Sequence, residues 1–363
     1  MSELIIEGNA LRRAEVNAQA ESSIPVAIIG TGNVGGELLN ILTDRQPGRL
    51  RLLALANSRQ MLLDEQGLAF DGLDERLEAA GRPTCLDRLV YHLRHHAARG
   101  VIVDLTASPE VAARHAQWLR AGLEVVTANK WAVAAGEEAY QRLRAASEVS
   151  AYRHATTVGA GLPLLETIQR LRASGERILS VSGLFSGTLS YLTQALATGR
   201  PFSEALSEAQ QQGLTEPDPR LDLSGLDVAR KLIITARAAG HSIDPKQVAV
   251  ESLYPETLAD WPLADFLDRA GPELDAYWQA HPARKQQGVP RYVATVDGEG
   301  RAQVGIRCLP ADHPFVAIGP TDNIFQIRTD SYDDTPIIIR GPGAGARVTA
   351  TQVLADIQQF RVT

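Results

Sequence analysis

The run Gly30-Thr31-Gly32-Asn33-Val34-Gly35 follows an apolar segment, Pro25 to Ile29, and opens a stretch with helical spacing at Val34, Leu38, Leu39 and Leu42. A G-x-G-x-x-G pattern in that position constrains this chain more than any other feature. The strand must end in a tight turn, and the turn must lead straight into a helix. Gly30 permits the turn, Gly32 lets a pyrophosphate approach the backbone, and Gly35 lets helix and strand pack closely. The helix N-terminus around Asn33 and Val34 then offers unpaired N–H groups and a positive dipole end to phosphates. An ordinary glycine-rich turn is the competing reading.

The surrounding pattern extends this motif into a domain. Leu50 to Ala56, Val101 to Leu105 and Leu123 to Thr127 read as further strands, with helices over Pro109 to Ala121 and Glu137 to Ala146. Strands alternating with helices argue for a parallel sheet covered on both faces. After about residue 150 the texture changes. A strand is expected over Ile178 to Ser182, and helices over Leu189 to Ala197, Phe202 to Gln211 and Leu226 to Ala239. The chain is polar and helical from Trp261 to Gln287. Arg291 to Val296 and Gln303 to Arg307 flank Asp297-Gly298-Glu299-Gly300 as a hairpin, with more strand at Ile324 to Arg328 and Pro336 to Ile339. Gly341, Gly343 and Gly345 precede a last helix, Val348 to Phe360, expected to pack back on the first domain. The fold class is therefore α/β: a Rossmann-type, doubly wound parallel sheet plus an α+β domain with a mixed sheet. The expected first domain is 24–155 completed by 341–363, the second is 156–340, and 1–23 is an N-terminal extension.

Composition excludes several alternatives. With 363 residues the chain has the length of two domains. Its net charge of −7 argues against sequence-independent nucleic-acid binding, which needs a basic footprint. No apolar run approaches the ~18 residues of a membrane helix, and Met1 to Ala20 lacks the apolar core of a secretory signal. Cys85 and Cys308 are too few for a disulfide framework or a zinc site. A cytoplasmic protein acting on a small molecule is expected, with neither nucleic acid nor membrane as partner.

Ligands of doubly wound sheets bind at the carboxyl ends of strands. The second strand ends in Asn57-Ser58-Arg59, with no acid before Asp64. A hydroxyl, an amide and an Arg suit a 2′-phosphate, which points to NADP, with NAD left open and Arg59 alternatively a solvated loop residue. Thr106 follows the third strand, and Asn129-Lys130 the fourth, where they can meet the nicotinamide end of a cofactor or a substrate. Lys130 can equally be a plain exposed lysine. Glu216-Pro217-Asp218-Pro219-Arg220-Leu221-Asp222 is an acidic loop stiffened by two prolines. Ser224 is a plausible cap for the helix behind it, on which Asp227 and Lys231 are spaced i,i+4. A surface ion pair is the plain reading. Val228 and Ile234 on either side argue instead for a partly buried lysine, which needs a partner and has a tunable pKa.

Together these stretches resemble the homoserine dehydrogenases, over about Ile24 to Phe360. The resemblance is carried by Gly30 to Gly35, Val126 to Lys130, Val158-Gly159-Ala160-Gly161-Leu162-Pro163, Ser186 to Tyr191, Gly213 to Lys231 and Gly341 to Thr349. It implies interconversion of L-aspartate 4-semialdehyde and L-homoserine, on the route to threonine, methionine and isoleucine, by a homodimer or homotetramer. It also implies roles. Lys231 would be the acid–base lysine and Lys130 a second lysine near the reacting centre. Glu216, taking the substrate ammonium, would bind substrate with Asp222 and Asp227, and Thr188 would meet the carboxylate end. Thr106, Lys130 and Gly345 would contact the cofactor. The backbone carbonyls of Val158, Ala160 and Leu162 would offer a site for sodium or potassium. Two departures stand out: Leu221 replaces one acid of the acidic loop, and Ala155 replaces the acid that serves as a sodium ligand. With neither an aspartokinase before Met1 nor an ACT module after Thr363, threonine feedback through such a module is not expected. Two rival readings remain: another two-domain dehydrogenase of an amino-acid aldehyde, and a non-catalytic NAD(P)-responsive regulator.

Overall fold

Apolar runs bounded by glycine or polar turns become the strands, and amphipathic stretches become the helices that cover them. The structure, a computed structural model, describes residues 23–97, 99–319 and 321–360. Apart from Ser23, the expected N-terminal extension lies outside these residues, as do 361–363.

In chain order, β1 (Ile24–Ile29) leads through the glycine turn into α1 (Asn33–Arg45) and β2 (Leu50–Ala56). β3 (Gln60–Leu63), α2 (Leu73–Ala80), β4 (Arg82–Pro83) and α3 (Leu86–His96) follow. Next come β5 (Val101–Asp104), α4 (Pro109–Ala112), α5 (His115–Arg120), β6 (Glu124–Thr127), α6 (Glu137–Ser147) and β7 (Tyr152–Arg153). α7 (Leu164–Ala173), β8 (Ile178–Leu184), α8 (Gly187–Ala197), α9 (Phe202–Gln211), α10 (Arg220–Leu223) and α11 (Leu226–Ala238) continue the chain. It ends with β9 (Ala249–Val250), α12 (Leu263–Arg269), α13 (Gly271–Ala280), β10 (Val289–Asp297), β11 (Ala302–Leu309), β12 (Asp322–Thr329), β13 (Ile337–Pro342) and α14 (Ala346–Gln358).

The chain divides into two compact units. Among described residues, the first runs to Ala132 and adds Gln141–Thr156 and everything from Gly345 on; the second is Val133–Tyr140 with Thr157–Ala344. The expected first domain, 24–155 with 341–363, thus loses 133–140 and 341–344. Arg237 on α11 explains the first of these shifts. It is 4% exposed, donates to the carbonyls of Val133 at 2.6 Å and Ile243 at 2.7 Å, and lies 4.0 Å over the Tyr140 ring. A buried guanidinium needs such partners, and they tie residues 133–140 to the second unit.

The first unit is built on a seven-stranded sheet of order β4-β3-β2-β1-β5-β6-β7. β2, β1, β5, β6 and β7 run parallel, while β3 turns back antiparallel on β2 and carries β4 at the edge. This antiparallel edge departs from a purely parallel sheet. Register aligns the strand ends: Ile29 with Ala56 and Asp104, and Asp104 with Thr127. The loops after β1, β2, β5 and β6 therefore leave one edge side by side. On α14, Ala350, Val353, Leu354 and Ile357 form one helical stripe and share a buried core with Leu38, Leu39, Ile41 and Leu42 of α1.

The second unit holds a mixed sheet of order β13-β12-β8-β10-β11-β9, antiparallel except for β11 with β9. Leu184, Val293, Phe315, Ile318 and Ile324 form a core cluster, and Phe185 meets Phe325 edge to face at 4.8 Å. Three local expectations fail. The helix expected over Pro109 to Ala121 breaks at Ala113 and Arg114, where a three-residue turn (Arg114 N–H to Val111 O, 3.0 Å) separates α4 from α5. The helical stretch from Trp261 to Gln287 splits at Gly271-Pro272 and at Pro282, since proline lacks the N–H that a continuing helix uses. Ser224 is not the cap of α11. Gly225 is, at φ +70°, a position where a Cβ would lie 2.0 Å from the Tyr292 hydroxyl. The Ser224 hydroxyl donates to Leu221 O at 2.9 Å, and its oxygen accepts the Leu226 N–H at 3.3 Å.

Leu354 is 2% exposed, so Leu354→Ala is expected to destabilise the protein by about 2–5 kcal/mol in urea unfolding, the scale of a buried Leu-to-Ala cavity. A loss below about 1 kcal/mol would place α14 outside the core of the first unit.

Candidate active site

At the glycine turn, sterics separate three roles. Gly30 has φ +104°, and a Cβ there would lie 2.9 Å from the Leu105 carbonyl carbon. A Cβ at Gly35 would lie 2.0 Å from the Gly30 carbonyl oxygen, so only glycine fits where α1 crosses β1. At Gly32 a Cβ would meet nothing within 4 Å. The protein itself therefore does not require glycine there, but a ligand lying on the backbone would. α1 begins at Asn33 with no side-chain cap and no acid in its first turn. Its N-terminal N–H groups thus face an exposed edge with no competing negative charge from the helix's first turn.

The loop after β2 is a hairpin turn into β3. Asn57 Oδ1 accepts the backbone N–H groups of Arg59 and Gln60, both at 2.8 Å. Of the three residues expected to meet a 2′-phosphate, Asn57 has its side-chain oxygen spent on the turn. Ser58 and Arg59 are exposed at its tip.

The loops after β5 and β6 are joined by a buried carboxylate. Asp104 has no exposure and ends β5. Its Oδ1 accepts the Thr106 N–H at 2.9 Å and the Thr106 hydroxyl at 2.7 Å. Its Oδ2 accepts Asn129 Nδ2 at 2.9 Å and faces His115 Nε2 at 2.9 Å. Asn129 also donates to Ser108 O at 2.9 Å and accepts the Trp131 N–H at 3.0 Å. Residues 129–131, with the half-buried Lys130 at their centre, are thereby clasped to residues 104–108.

In the second unit, the carboxyl end of β8 meets the starts of α8 and α11. Lys231 is 15% exposed and Asp227 44%. The Lys231 ammonium donates to Phe185 O at 2.9 Å and to Asp227 Oδ2 at 2.9 Å. An ammonium carries three donors, so one is unspent by these two partners. Asp227 sits in the first turn of α11, where the helix dipole favours a carboxylate. Asp222 Oδ2 accepts the Glu216 N–H at 2.8 Å, and Asp222 Oδ1 lies 3.2 Å from the Thr188 hydroxyl. Burial raises the Asp222 pKa above the usual carboxylate value, and the charges of Glu216 and Asp227 push it the same way. A cation placed among these three carboxylates would relieve that repulsion. Glu216 itself is exposed.

Thr188 differs from its expected role. Its hydroxyl donates to Leu214 O at 2.5 Å, which leaves no side-chain donor for a substrate carboxylate and instead ties α8 to the acidic loop. Asp218 and Arg220 are likewise structural. They pair at 2.8 Å, which holds the Asp218 pKa below the usual carboxylate value, and Arg220 reaches the carbonyls of Leu258, Ala259 and Trp261. Leu221 is exposed.

Gly345 precedes α14 at φ +134°, and its carbonyl accepts the N–H and hydroxyl of Thr349 at 3.0 and 2.9 Å. The loop whose carbonyls are expected to offer a site for sodium or potassium is tightly turned. Gly159 and Ala160 turn the backbone at φ +75° and +54°, but the Leu162 carbonyl already accepts the Leu164 N–H at 2.8 Å. Residue 155 is alanine, and among the described residues no three His, Cys, Asp or Glu cluster as metal ligands.

The structure brings Thr106 together with Asn129 and Lys130 in one unit, and Thr188, Glu216, Asp222, Asp227 and Lys231 in the other. The sequence reading missed Asp104, His115 and Tyr152. An aspartate closing a wholly apolar strand was the signal, because a buried carboxylate must have partners. Gly35→Ala is expected to cost several kcal/mol of stability, while Gly32→Ala leaves thermal unfolding within about 0.5 kcal/mol of the parent. Equal Tm losses for the two would contradict the steric assignment.

Comparison with known proteins places the chain in a family. The homoserine dehydrogenase family matches residues 163–358, and its NAD binding domain matches 30–155. The chain is 40% identical over 352 residues to bifunctional aspartokinase/homoserine dehydrogenase 1 of Zea mays, covering 93% of this chain and 38% of that protein. It thus spans well under half the length of that relative. It is 36% identical over 363 residues to the homoserine dehydrogenase of Emericella nidulans, covering 92% of this chain and 97% of that one. A hyperthermophilic archaeal homoserine dehydrogenase in complex with NADPH shares the fold, at a TM-score of 0.71 and 22% identity over 93% of this chain and 97% of that one. The chain belongs to the homoserine dehydrogenase family.

Proposed function

We propose that this protein is an NAD(P)-dependent homoserine dehydrogenase, interconverting L-aspartate 4-semialdehyde and L-homoserine in amino-acid biosynthesis. The observation that carries the reading is Lys231: sheltered, fixed by Phe185 O and Asp227, with a donor to spare beside an acidic loop. The nicotinamide cofactor supplies or accepts the hydride. Lys231 protonates the substrate oxygen in the reducing direction and, as the neutral amine, accepts the hydroxyl proton in the oxidising one. Glu216 takes the substrate ammonium, with Asp222 and Asp227 adding negative potential, and the Thr188 hydroxyl holds the acidic loop in place. Gly30, Gly32, Asn33, Val34 and Gly35 cradle the pyrophosphate, which fits the open face at Gly32. Thr106, Lys130 and Gly345 complete the cofactor contacts, and Lys130 adds positive charge.

The exposed Ser58 and Arg59 favour NADP. The hairpin tip presents a cation and a hydroxyl without a carboxylate to repel a 2′-phosphate. The protein would work in the cytoplasm as a homodimer or homotetramer; the edge strand β13, with Ile338 41% exposed, is one surface for self-association. No helix among the described residues is long and apolar enough to cross a membrane.

Lys231→Ala is expected to cut kcat for homoserine oxidation by roughly 10²–10⁴-fold with NADPH affinity within about twofold of the parent. Retention of more than about a tenth of kcat would reduce Asp227/Lys231 to a helix-surface ion pair. Arg59→Asp is expected to shift the kcat/KM ratio of NADPH over NADH by about tenfold or more toward NADH. A parent enzyme preferring NADH tenfold would contradict the reading of this turn.

A further inference from the structure

Two polar residues in the first unit, the buried His115 and the half-buried Tyr152, have no part in the proposed chemistry. His115 has no exposure; its Nε2 lies 2.9 Å from Asp104 Oδ2 and its Nδ1 lies 3.0 Å from the Tyr152 hydroxyl. We propose that His115 and Tyr152 are positioning residues for cofactor binding, holding the Asp104 carboxylate so that the Thr106 and Lys130 loops keep their binding geometry. This inference rests on the cofactor reading above.

A carboxylate only accepts, so the imidazole nitrogen facing Asp104 carries the hydrogen, and in the neutral imidazole Nδ1 is then the acceptor facing Tyr152. Burial and the Asp104 charge hold the Tyr152 pKa well above the usual phenol value, which keeps the hydroxyl a donor. The neighbouring His154, whose ring is 5.4 Å from that of Tyr152, has its pKa lowered to about 4 by burial and adds no charge at neutral pH. With Oδ2 engaged by His115 and Asn129, Oδ1 is left for both donors of Thr106. The Thr106 hydroxyl hydrogen is thereby spent, and its oxygen is an acceptor: Ser108 N lies at 3.2 Å and Asn129 Nδ2 at 3.3 Å. Each partner comes from a different element: His115 from the start of α5, Tyr152 from β7, Asn129 from the loop after β6. The break between α4 and α5 places His115 at a helix start with its ring in this network.

Removing the His115 donor leaves Asp104 one partner short in a site closed to water. A buried carboxylate in that position rotates or draws in water, and either response moves Thr106 and Asn129. Sub-ångström displacement of a binding group is enough to cost an order of magnitude. Glutamine at 115 can extend an amide N–H toward the position of Nε2, whereas leucine cannot.

The test is NADPH affinity, read by quenching of protein fluorescence, for the parent, His115→Leu, His115→Gln and Tyr152→Phe, together with homoserine KM and Tm. His115→Leu is expected to raise the NADPH Kd about tenfold or more, with His115→Gln recovering to within about threefold of the parent. Tyr152→Phe, which keeps the ring and removes one hydrogen bond, is expected to raise Kd about threefold. Homoserine KM, set in the second unit, stays nearly constant. Parent-like NADPH Kd in both folded His115→Leu and Tyr152→Phe, with only Tm lowered, overturns the inference. Should His115→Leu fail to fold, Tyr152→Phe decides alone. Failure of the parent itself to bind NADPH or NADH overturns the cofactor reading instead, and this inference with it.

Discussion

The Gly30 carbonyl oxygen occupies the place that a Cβ on residue 35 would need, 2.0 Å away. That contact sets how closely α1 lies against β1, and much of the first unit follows from it. Because α1 docks this tightly, its uncapped N-terminus stands directly at the end of β1. Because α1 lies flat on the sheet, its outer apolar stripe is left for α14, which comes from the far end of the chain to cover it. A larger residue at 35 would disturb the turn, the helix and the C-terminal segment together.

The alignment of strand ends extends this constraint into chemistry. Ile29, Ala56, Asp104 and Thr127 are neighbours in register, so four loops leave one edge, as ligand-binding edges of parallel sheets do. Two of those loops are bonded to one buried carboxylate, which makes their geometry a property of Asp104 rather than of either loop alone. The second unit applies the same economy to a lysine. Phe185 O fixes the ammonium, Asp227 balances its charge from one helical turn away, and one donor is left over. Asp222 accepts the Glu216 N–H, and the Thr188 hydroxyl binds Leu214 O, so the acidic loop keeps its shape through a carboxylate and a hydroxyl at some electrostatic cost.

What the sequence made legible was local or strongly patterned. The glycine turn, the apolar strands of the first sheet and the i,i+4 placement of Asp227 and Lys231 all appear where spacing predicts them. What it concealed depends on partners distant along the chain. Asn57 looks like a ligand residue until β3 turns back and its oxygen is needed to close the hairpin. Ser224 is a sound cap by type, but Tyr292 leaves room only for glycine at 225, and the helix starts there instead. His115 lies in what reads as one helix from 109 to 121. Its inward turn becomes visible only with Asp104 and Tyr152, 11 and 37 residues away. Arg237 similarly moves residues 133–140 into the second unit through carbonyls that no periodicity marks.

The proposed reaction is tested most directly by identifying its product. Purified protein is incubated with L-homoserine and NADP, and the carbonyl product is trapped as its hydrazone and identified by mass spectrometry against authentic L-aspartate 4-semialdehyde. Semialdehyde and NADPH are expected to accumulate in equal amounts, and neither to form when homoserine is omitted. Reduction of NADP without the semialdehyde, or no product with either NADP or NAD, would contradict it.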